Sequence, residues 1–181
     1  MNYISIDSST SSTTVVVFDD NLKILKRFQK EHKQIYTTEG FIEHDLNEIY
    51  ENLIKLMRQA SQIAPDPHLI SLTNQRETLT LFGKSTGKPV SNAIVWQCTR
   101  GQEICKKKKK NQSHSELITK KTGLKVNSFF SASKLKWIIE NEIDLKNRLE
   151  KGDILFGTID TYLLYRLTGC SAYVTDTTNA S

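Results

Sequence analysis

The sequence predicts an α/β protein, because three β-prone runs stand together near its start and are followed by one amphipathic helix and a further strand. The β-prone runs cover residues 3–6, 13–18 and about 23–30, with turn residues between them. Three strands in immediate succession predict an antiparallel meander. The helix covers residues 46–60 and the next strand residues 69–72, which gives the order β-β-β-α-β.

The predicted helix has a recognisable start, apolar face and end. Asp45 and Glu48 have the spacing of a capping box, in which each side chain bonds the other residue's backbone N–H. Pro65 and Pro67 follow the helix, which proline cannot continue. The apolar residues that recur at helical spacing are Leu46, Ile49, Tyr50, Leu53, Met57 and Ala60.

The second half of the chain predicts a hairpin and then helices. Runs 79–82 and 90–95 flank the turn Ser85-Thr86-Gly87 and are expected to pair. Four helices are expected in the remainder. They run through the lysines at 106–110, from Ser113 (with Glu116 completing a capping box) to Gly123, over 131–140, and through Leu163 to Gly169.

Composition indicates an ordinary soluble protein. The 181 residues are 38% hydrophobic and 25% charged, which is typical of a globular domain. No apolar run approaches membrane-spanning length, and the N-terminus lacks the pattern of a signal peptide. Cys98, Cys105 and Cys170 are an odd number without metal-ligand spacing, as expected for reduced thiols. We therefore predict a cytoplasmic protein with no membrane partner.

The basic charge comes from one local cluster. The formal net charge is +5, and the run Lys106–Lys110 alone accounts for it. Because cations suit the last turn of a helix, the run is interpreted as a solvated helix end. A nucleic-acid-binding protein is the alternative, but the run has no interleaved aromatic residues that could stack on bases. We therefore predict no nucleic-acid partner.

The pair Arg76-Glu77 is the strongest candidate for a binding site. It follows the predicted strand 69–72 and precedes Trp96-Gln97-Cys98 by about twenty residues. A guanidinium beside a carboxylate can donate to one hydroxyl and accept from another, as a polyol site requires. The alternative is a surface ion pair, which is the commoner role of such a dipeptide.

Residues 7–13 form a second candidate site, for phosphate. Asp7 is followed by six hydroxyl residues, and hydroxyls with turn amides can bond phosphate oxygens. The Asp7 carboxylate suits Mg²⁺, a hard cation. The alternative is a polar hairpin turn, which serine and aspartate favour in any case.

The four histidines, at positions 32, 44, 68 and 114, have no catalytic or metal-ligand spacing and are predicted to be surface or capping residues.

Taken together and in order, several segments resemble the N-terminal half of the glycerol kinases, members of the FGGY family of carbohydrate kinases. They span essentially the whole chain. The segments are the hydroxyl loop with Val15-Val16-Val17-Phe18-Asp19, Gly40-Phe41-Ile42-Glu43-His44-Asp45, Thr73-Asn74-Gln75-Arg76-Glu77-Thr78, Thr86-Gly87-Lys88-Pro89, Asn92-Ala93-Ile94-Val95-Trp96-Gln97-Cys98, Phe156-Gly157-Thr158-Ile159-Asp160-Thr161 and Thr175-Asp176-Thr177-Thr178-Asn179-Ala180-Ser181.

The resemblance implies a ribonuclease-H-like (actin-type) fold, with residues 1–181 as the incomplete N-terminal domain of a two-domain sugar kinase. It implies transfer of the ATP γ-phosphoryl group to glycerol, giving sn-glycerol 3-phosphate, with Mg²⁺ as cofactor. Arg76 and Glu77 would bond the glycerol hydroxyls, and Trp96 would lie against its carbons. Asp7 would help to position Mg²⁺. The residues expected near the nucleotide phosphates are Thr10, Ser11, Ser12 and Thr14.

Three residues depart from the family pattern. The family has glycine at Ser9, where a side chain is expected to crowd the turn. It has arginine at Thr14, so a cation near the phosphates is lost. Phe129 stands where the family has a substrate-contacting tyrosine, and the lost hydroxyl is expected to weaken affinity and specificity for a polyol.

The sequence ends at Ser181, whereas the family continues. The general-base aspartate and the domain that binds most of ATP are expected beyond this point, so no catalytic residue is assigned. We expect the isolated chain to be inactive. The alternative is a non-catalytic remnant, or a weak polyol-binding module, of a truncated kinase gene.

Overall fold

The computed structural model describes residues 1–180 and consists of two compact units. Unit 1 comprises Met1–Gln34 and His44–Gln75. Unit 2 comprises Ile35–Glu43 and the chain from Arg76 onward. Ser181, the last residue of the final family-like segment, lies outside the described residues.

The elements alternate between short strands and helices along the chain. The strands are β1 (Tyr3–Ser8), β2 (Ser12–Phe18), β3 (Ile24–Glu31), β4 (Gln34–Tyr36), β5 (Ile42–His44), β6 (Leu69–Asn74), β7 (Thr80–Gly83), β8 (Ala93–Ile94) and β9 (Ile154–Gly157). The helices are α1 (Leu46–Ser61), α2 (Gln102–Lys110), α3 (Gln112–Thr122), α4 (Ser131–Asn141), α5 (Ile143–Glu150) and α6 (Ile159–Leu167), and a short 3₁₀ turn (Thr99–Gly101) precedes α2.

Unit 1 is a four-stranded sheet in the order β3-β2-β1-β6, with α1 against one face. The first three strands are antiparallel, as the meander prediction requires, and β6 runs parallel to β1. Alternate residues of β1 and β2 are buried, which matches the two-residue period of a strand. The buried apolar residues of this core are Ile4, Ile6, Val15, Val17, Leu46, Ile49, Leu53 and Leu56.

The start of α1 confirms only half of the predicted capping box. The Asp45 carboxylate accepts a bond from the backbone N–H of Asn47 at 2.8 Å, so Asp45 is the N-cap. Glu48 accepts instead from the backbone N–H of Lys33, at 3.2 Å. The reciprocal bond was therefore predicted wrongly, because a neighbouring segment supplies Glu48 with a different donor.

The outer edge of β6 carries exposed apolar side chains. Leu69 is 57% exposed and Ile70 is 48% exposed. Within residues 1–180, β6 hydrogen-bonds to β1 and to no other strand. An unpaired strand edge with exposed apolar side chains is a template for association, so this edge is open to aggregation.

Unit 2 is built around a core of small sheets covered by helices. β7 pairs with β9, and β8 lies beside β5 in a second sheet. Bridges from Leu79 to Ile94 and from Phe82 to Pro89 confirm the predicted hairpin. The buried core residues are Leu79, Leu81, Ile94, Cys98, Ile138 and Ile154.

The helices of unit 2 begin and end close to the predicted places. α3 is capped by Asn111, not by Ser113, since the Asn111 side chain accepts from the backbone N–H of His114 at 3.2 Å. Gly123 follows α3 with φ +73°, the left-handed conformation that glycine adopts easily. The run Lys106–Lys110 forms the exposed last part of α2, as the solvated-end interpretation predicted. Among the described residues, no helix is long and apolar enough to cross a bilayer.

Candidate functional site

Glu77 joins the start of α4 to the segment before β7. Its carboxylate Oε2 accepts from the backbone N–H of Ser131 at 3.1 Å and from the Ser131 hydroxyl at 3.3 Å. The Ser131 hydroxyl also donates to the Glu77 carbonyl, at 3.1 Å. Because Phe130 at the N-cap position makes no side-chain cap, the Glu77 carboxylate takes that role. Glu77 is 8% exposed and has φ +67°, a strained conformation that is uncommon outside functional positions.

Two aromatic rings lie together in the same unit. The ring centroids of Trp96 and Phe129 are 4.5 Å apart and the rings are tilted by 43°. The backbone N–H of Trp96 donates to the Thr78 hydroxyl at 3.3 Å, which ties the indole segment to the residue after Glu77. Phe129 lies two residues before Ser131 and is 45% exposed. The structure therefore brings Glu77, Trp96 and Phe129 into one polar and aromatic cluster.

Arg76 is an exposed residue whose guanidinium has no hydrogen bond or ion pair to residues 1–180. It therefore does not form the surface ion pair that was the alternative interpretation of Arg76-Glu77. A guanidinium that the fold does not use remains available for an anionic or hydroxyl ligand.

Lys134 lies beneath the cluster and is completely buried. Its ammonium donates to the carbonyl oxygens of Ser128, Phe129 and Phe130. Burial lowers the pKa of Lys134 to about 8, and the negative charge of Glu77 opposes that shift. The Lys134 ammonium therefore fixes the backbone of the segment that carries Phe129.

A cavity of about 400 Å³ in unit 2 shares Ser131 with this cluster. Its other lining residues include Phe156, Thr158, Thr161 and Asn179. Arg76, Glu77, Trp96 and Phe129 do not line it. The predicted substrate residues, which range from the buried Glu77 to the exposed Arg76, thus lie outside the lining of this cavity.

In unit 1, the predicted phosphate loop is shorter than expected. β1 extends to Ser8 and β2 begins at Ser12, so the turn consists of residues 9–11. Ser8 and Thr13 are fully buried, which removes their hydroxyls from any phosphate site. Ser12 is also buried, and its hydroxyl accepts from the Gln29 side chain at 3.0 Å. Thr10 and Ser11 are therefore the hydroxyl residues of the predicted set that lie in the turn itself.

Asp7 and Thr14 are directly opposite each other in the β1–β2 register, on the less buried face of the sheet. The Ser9 hydroxyl donates to the Asp7 carboxylate at 2.6 Å. The Ser9 side chain therefore occupies one oxygen of Asp7, the predicted metal ligand. No group of three or more histidine, cysteine, aspartate or glutamate residues with metal-site geometry occurs in the described part of the chain.

Two histidines behind this turn correct the sequence prediction. His32 and His44 are buried, not on the surface, and their rings lie 5.3 Å apart. The Nε2 atom of His32 is 2.8 Å from the Ser9 carbonyl, and the Gln75 side chain donates to the same carbonyl at 3.4 Å. Gln75 Nε2 also lies 3.1 Å from Nδ1 of His44. Sequence spacing missed this network because its members are brought together by the fold.

Comparison with known proteins assigns the family. The model for the N-terminal domain of the FGGY family of carbohydrate kinases matches residues 2–181. The chain belongs to this family. This FGGY chain is 44% identical to glycerol kinase 2 of Thermotoga maritima, over all of its own length and 37% of that protein. It is 44% identical to a glycerol kinase of Francisella philomiragia, over 98% of its length and 36% of the relative.

Solved structures of FGGY kinases confirm the predicted fold class. Plasmodium falciparum glycerol kinase with ADP superimposes with a TM-score of 0.92 at 37% identity, covering 99% of this chain and 36% of that one. Gluconate kinase of Lactobacillus acidophilus gives 0.84 at 26% identity, over 99% and 35% of the two chains. The ribonuclease-H-like order of unit 1 is therefore that of the FGGY N-terminal domain, and the chain spans 37% of the length of the first curated relative.

Three residues of the cluster around Glu77 were not predicted from the sequence. Ser131 bonds Glu77 and Thr78 bonds Trp96. Thr78 stands in the family-like segment 73–78, but neither residue was assigned a role. The burial of Lys134 could have been predicted, because this lysine shares the helical face of Leu135 and Ile138 and interrupts an otherwise apolar stripe. A lysine at a buried helical position requires a specific acceptor, which could have pointed to the loop before α4.

Proposed function

We propose that this chain provides the acceptor-binding part of an ATP-dependent glycerol kinase. The whole protein would transfer the γ-phosphoryl group of ATP to a terminal hydroxyl of glycerol, giving sn-glycerol 3-phosphate. The observation that carries this proposal is the cluster of Glu77, Ser131, Trp96 and Phe129 beside an uncommitted Arg76. The similarity to glycerol kinases along the whole chain supports it.

The cluster has the chemistry that a three-carbon polyol requires. The Arg76 guanidinium donates hydrogen bonds and the Glu77 carboxylate accepts them, so adjacent hydroxyls can be bound in a fixed order. The ring of Trp96 offers an apolar surface to the carbon atoms. Fixing the acceptor in this way would contribute to catalysis through orientation.

A separate set of residues, in unit 1, is proposed to bind the phosphates, and its chemistry is less complete. The Asp7 carboxylate is a hard oxygen ligand that suits Mg²⁺, and Thr14 lies opposite Asp7. The turn hydroxyls of Thr10 and Ser11 would bond the nucleotide phosphates. Ser12 would contribute its backbone, since its hydroxyl is already bonded to Gln29. When bound, Mg²⁺ would neutralise charge on the ATP phosphates. The Ser9 hydroxyl competes for the Asp7 carboxylate, so we expect this metal site to be weaker than one with glycine at position 9.

That same bond favours a second candidate function, a weak polyol-binding module without phosphoryl transfer. Asp7 is already occupied by Ser9, and Thr14 provides no cation for the phosphates. The cluster in unit 2 is unaffected by both features. Binding of glycerol without any measurable effect of ATP and Mg²⁺ would favour this alternative.

No partner beyond glycerol and ATP is proposed, and a cytoplasmic location is consistent with the free cysteines.

Titration of glycerol into the chain by calorimetry tests the acceptor site. Arg76→Ala is expected to weaken glycerol binding by about 10- to 100-fold, the loss expected for one or more charge-assisted hydrogen bonds. Because Arg76 makes no polar contact within residues 1–180, the substitution should leave thermal stability unchanged. Arg148→Ala, which removes another exposed arginine of unit 2, is the matched control and should bind normally. Equal glycerol affinity in both variants would contradict the proposal.

Phe129→Tyr tests the site by gain of function. The half-exposed ring stands against Trp96, so a hydroxyl added to it has access to a bound polyol. One neutral hydrogen bond is worth about 0.5–1.5 kcal/mol, and we expect a glycerol affinity about two- to tenfold higher by the same titration. Phe130→Tyr is the control, because it adds a hydroxyl to the neighbouring ring, which lines a different cavity of unit 2. An unchanged affinity in Phe129→Tyr would remove Phe129 from the substrate site.

A further inference from the structure

Lys134 is a buried lysine whose partners are three successive backbone carbonyls. Its exposed fraction is 0%. The ammonium Nζ donates to the carbonyl oxygens of Ser128 at 2.9 Å, Phe129 at 2.5 Å and Phe130 at 3.5 Å. Within residues 1–180, no carboxylate lies within 4 Å of this ammonium. All three of its N–H donors are thus directed at one short loop.

Stability alone does not account for a lysine in this place. Burying an ammonium without a carboxylate partner disfavours its charged form, and burial accordingly lowers the pKa of Lys134 to about 8. A methionine of similar length would fill the same space without that penalty. The feature that methionine lacks is the set of N–H donors for the carbonyls of residues 128–130.

The segment held by Lys134 supplies two residues of the acceptor cluster, Phe129 and the adjoining Ser131. Phe129 lies against Trp96 with ring centroids 4.5 Å apart, and Ser131 bonds Glu77. The Ser133 hydroxyl adds a bond to the Phe130 carbonyl at 3.0 Å, but it is a single neutral donor. A shift of the loop backbone would therefore move the aromatic and polar partners together.

We propose that Lys134 is a positioning residue for the acceptor site. Its ammonium fixes the backbone of residues 128–130 and thereby holds Phe129 against Trp96 and Ser131 at Glu77. Lys134 itself touches no substrate in this scheme. The inference rests on the proposed function for the identity of the acceptor, whereas the position of the loop can be measured with no acceptor present.

The protonation state of Lys134 gives a direct readout. A neutral amine has two N–H groups for three carbonyls, so the loop should loosen as pH rises through about 8. The ionisable groups that face Lys134 are Glu77, Cys98 and Cys105. Burial raises the pKa of Cys105 above its usual value of 9.0, so Lys134 loses its proton at lower pH than this thiol.

Fluorescence of Trp96 with glycerol titration tests the proposal. The chain contains two tryptophans, so Trp137→Phe leaves Trp96 as the single reporter. In this background, we expect Trp96 emission to change between pH 6.5 and 9.5 with a midpoint near 8, and the glycerol dissociation constant to rise about tenfold over the same range. Lys134→Met should show the high-pH emission and the weak binding already at pH 6.5, with no transition. Lys136→Met, which removes a half-exposed lysine of the same helix, should retain the transition.

Other results of these measurements would refute either the role of Lys134 or the proposed function. Identical Trp96 emission across this pH range with and without Lys134→Met, both in the Trp137→Phe background, would overturn the positioning role. Loss of the transition in a Cys98→Ala, Cys105→Ala double variant would also overturn it, by assigning the transition to the thiols. If Lys134→Met does not fold, the pH titrations of the unmodified protein and the cysteine variant still decide the question. Absence of glycerol binding at every pH would refute the proposed function, while the emission transition would still judge the role of Lys134.

Discussion

Arg100→Leu should lower the free energy of unfolding of unit 2 by about 3–5 kcal/mol, the usual effect of breaking a mostly buried ion pair from one side. The Arg100 guanidinium pairs with the Glu43 carboxylate, and these side chains are 10% and 15% exposed. The guanidinium also lies 4.3 Å from the Phe41 ring centroid and 5.0 Å from that of Trp137. Removing it leaves a carboxylate with little access to water. Urea unfolding followed by tryptophan fluorescence measures the change.

A double variant separates the two parts of this effect. In Arg100→Leu Glu43→Gln, the stranded negative charge is gone and the glutamine can still accept the bond that Asn92 donates at 2.9 Å. We expect it to recover at least half of the lost stability, because the unpaired buried charge contributes most of the penalty. Arg148→Leu, at an exposed position, is the matched control and should stay within about 0.5 kcal/mol of the unmodified protein. A loss below about 1 kcal/mol in Arg100→Leu would show that the pair is effectively solvated.

Local patterns predicted the regular elements of unit 1 well. The meander, α1 and β6 were read from β-branched runs, helical periodicity and prolines, all of which act within a few residues. β4 and β5, most of whose residues belong to unit 2, were missed because strands of three residues are too short to show a period. In unit 2, α5 and β9 were missed for a related reason, since neither has a cap or turn signal strong enough to separate it from its neighbours.

The candidate site was only partly accessible from the sequence. Arg76-Glu77 and Trp96 stand out in short motifs that the family resemblance links together. The bond between Glu77 and Ser131 joins residues 54 positions apart, and the stacking of Phe129 on Trp96 also depends on tertiary structure. Such contacts leave no local periodicity, so nothing in the sequence marks Ser131, and Phe129 was recognised only through the family resemblance. The same holds for His32 and His44, whose burial depends on where β3 and α1 pack.

Acidification should destabilise unit 1 through His44. Burial, with a smaller contribution from the nearby His32, lowers the pKa of His44 from 6.5 to about 4 in the folded chain. The unfolded chain therefore binds more protons between these pH values, and stability is lost as pH falls from about 6.5 through 4. The loss attributable to His44 is up to about 3 kcal/mol. Burial also lowers the pKa of His32, which acts in the same direction.

The consequence of this titration should appear at the Ser9 turn. Protonation of His44 at Nδ1 replaces an acceptor by a donor opposite the Gln75 amide, which lies 3.1 Å away and also bonds the Ser9 carbonyl. His44→Asn keeps a side-chain acceptor without titrating, so its urea midpoint should fall less between pH 6.5 and 4.5 than that of the unmodified protein. His114→Asn, at an exposed position, should retain the full slope. A slope that is the same in His44→Asn and His114→Asn would mean that other groups govern acid unfolding. Hydrogen exchange at residues 9–11 should accelerate over the same pH interval only where His44 is present, because the turn loses its hold through Gln75.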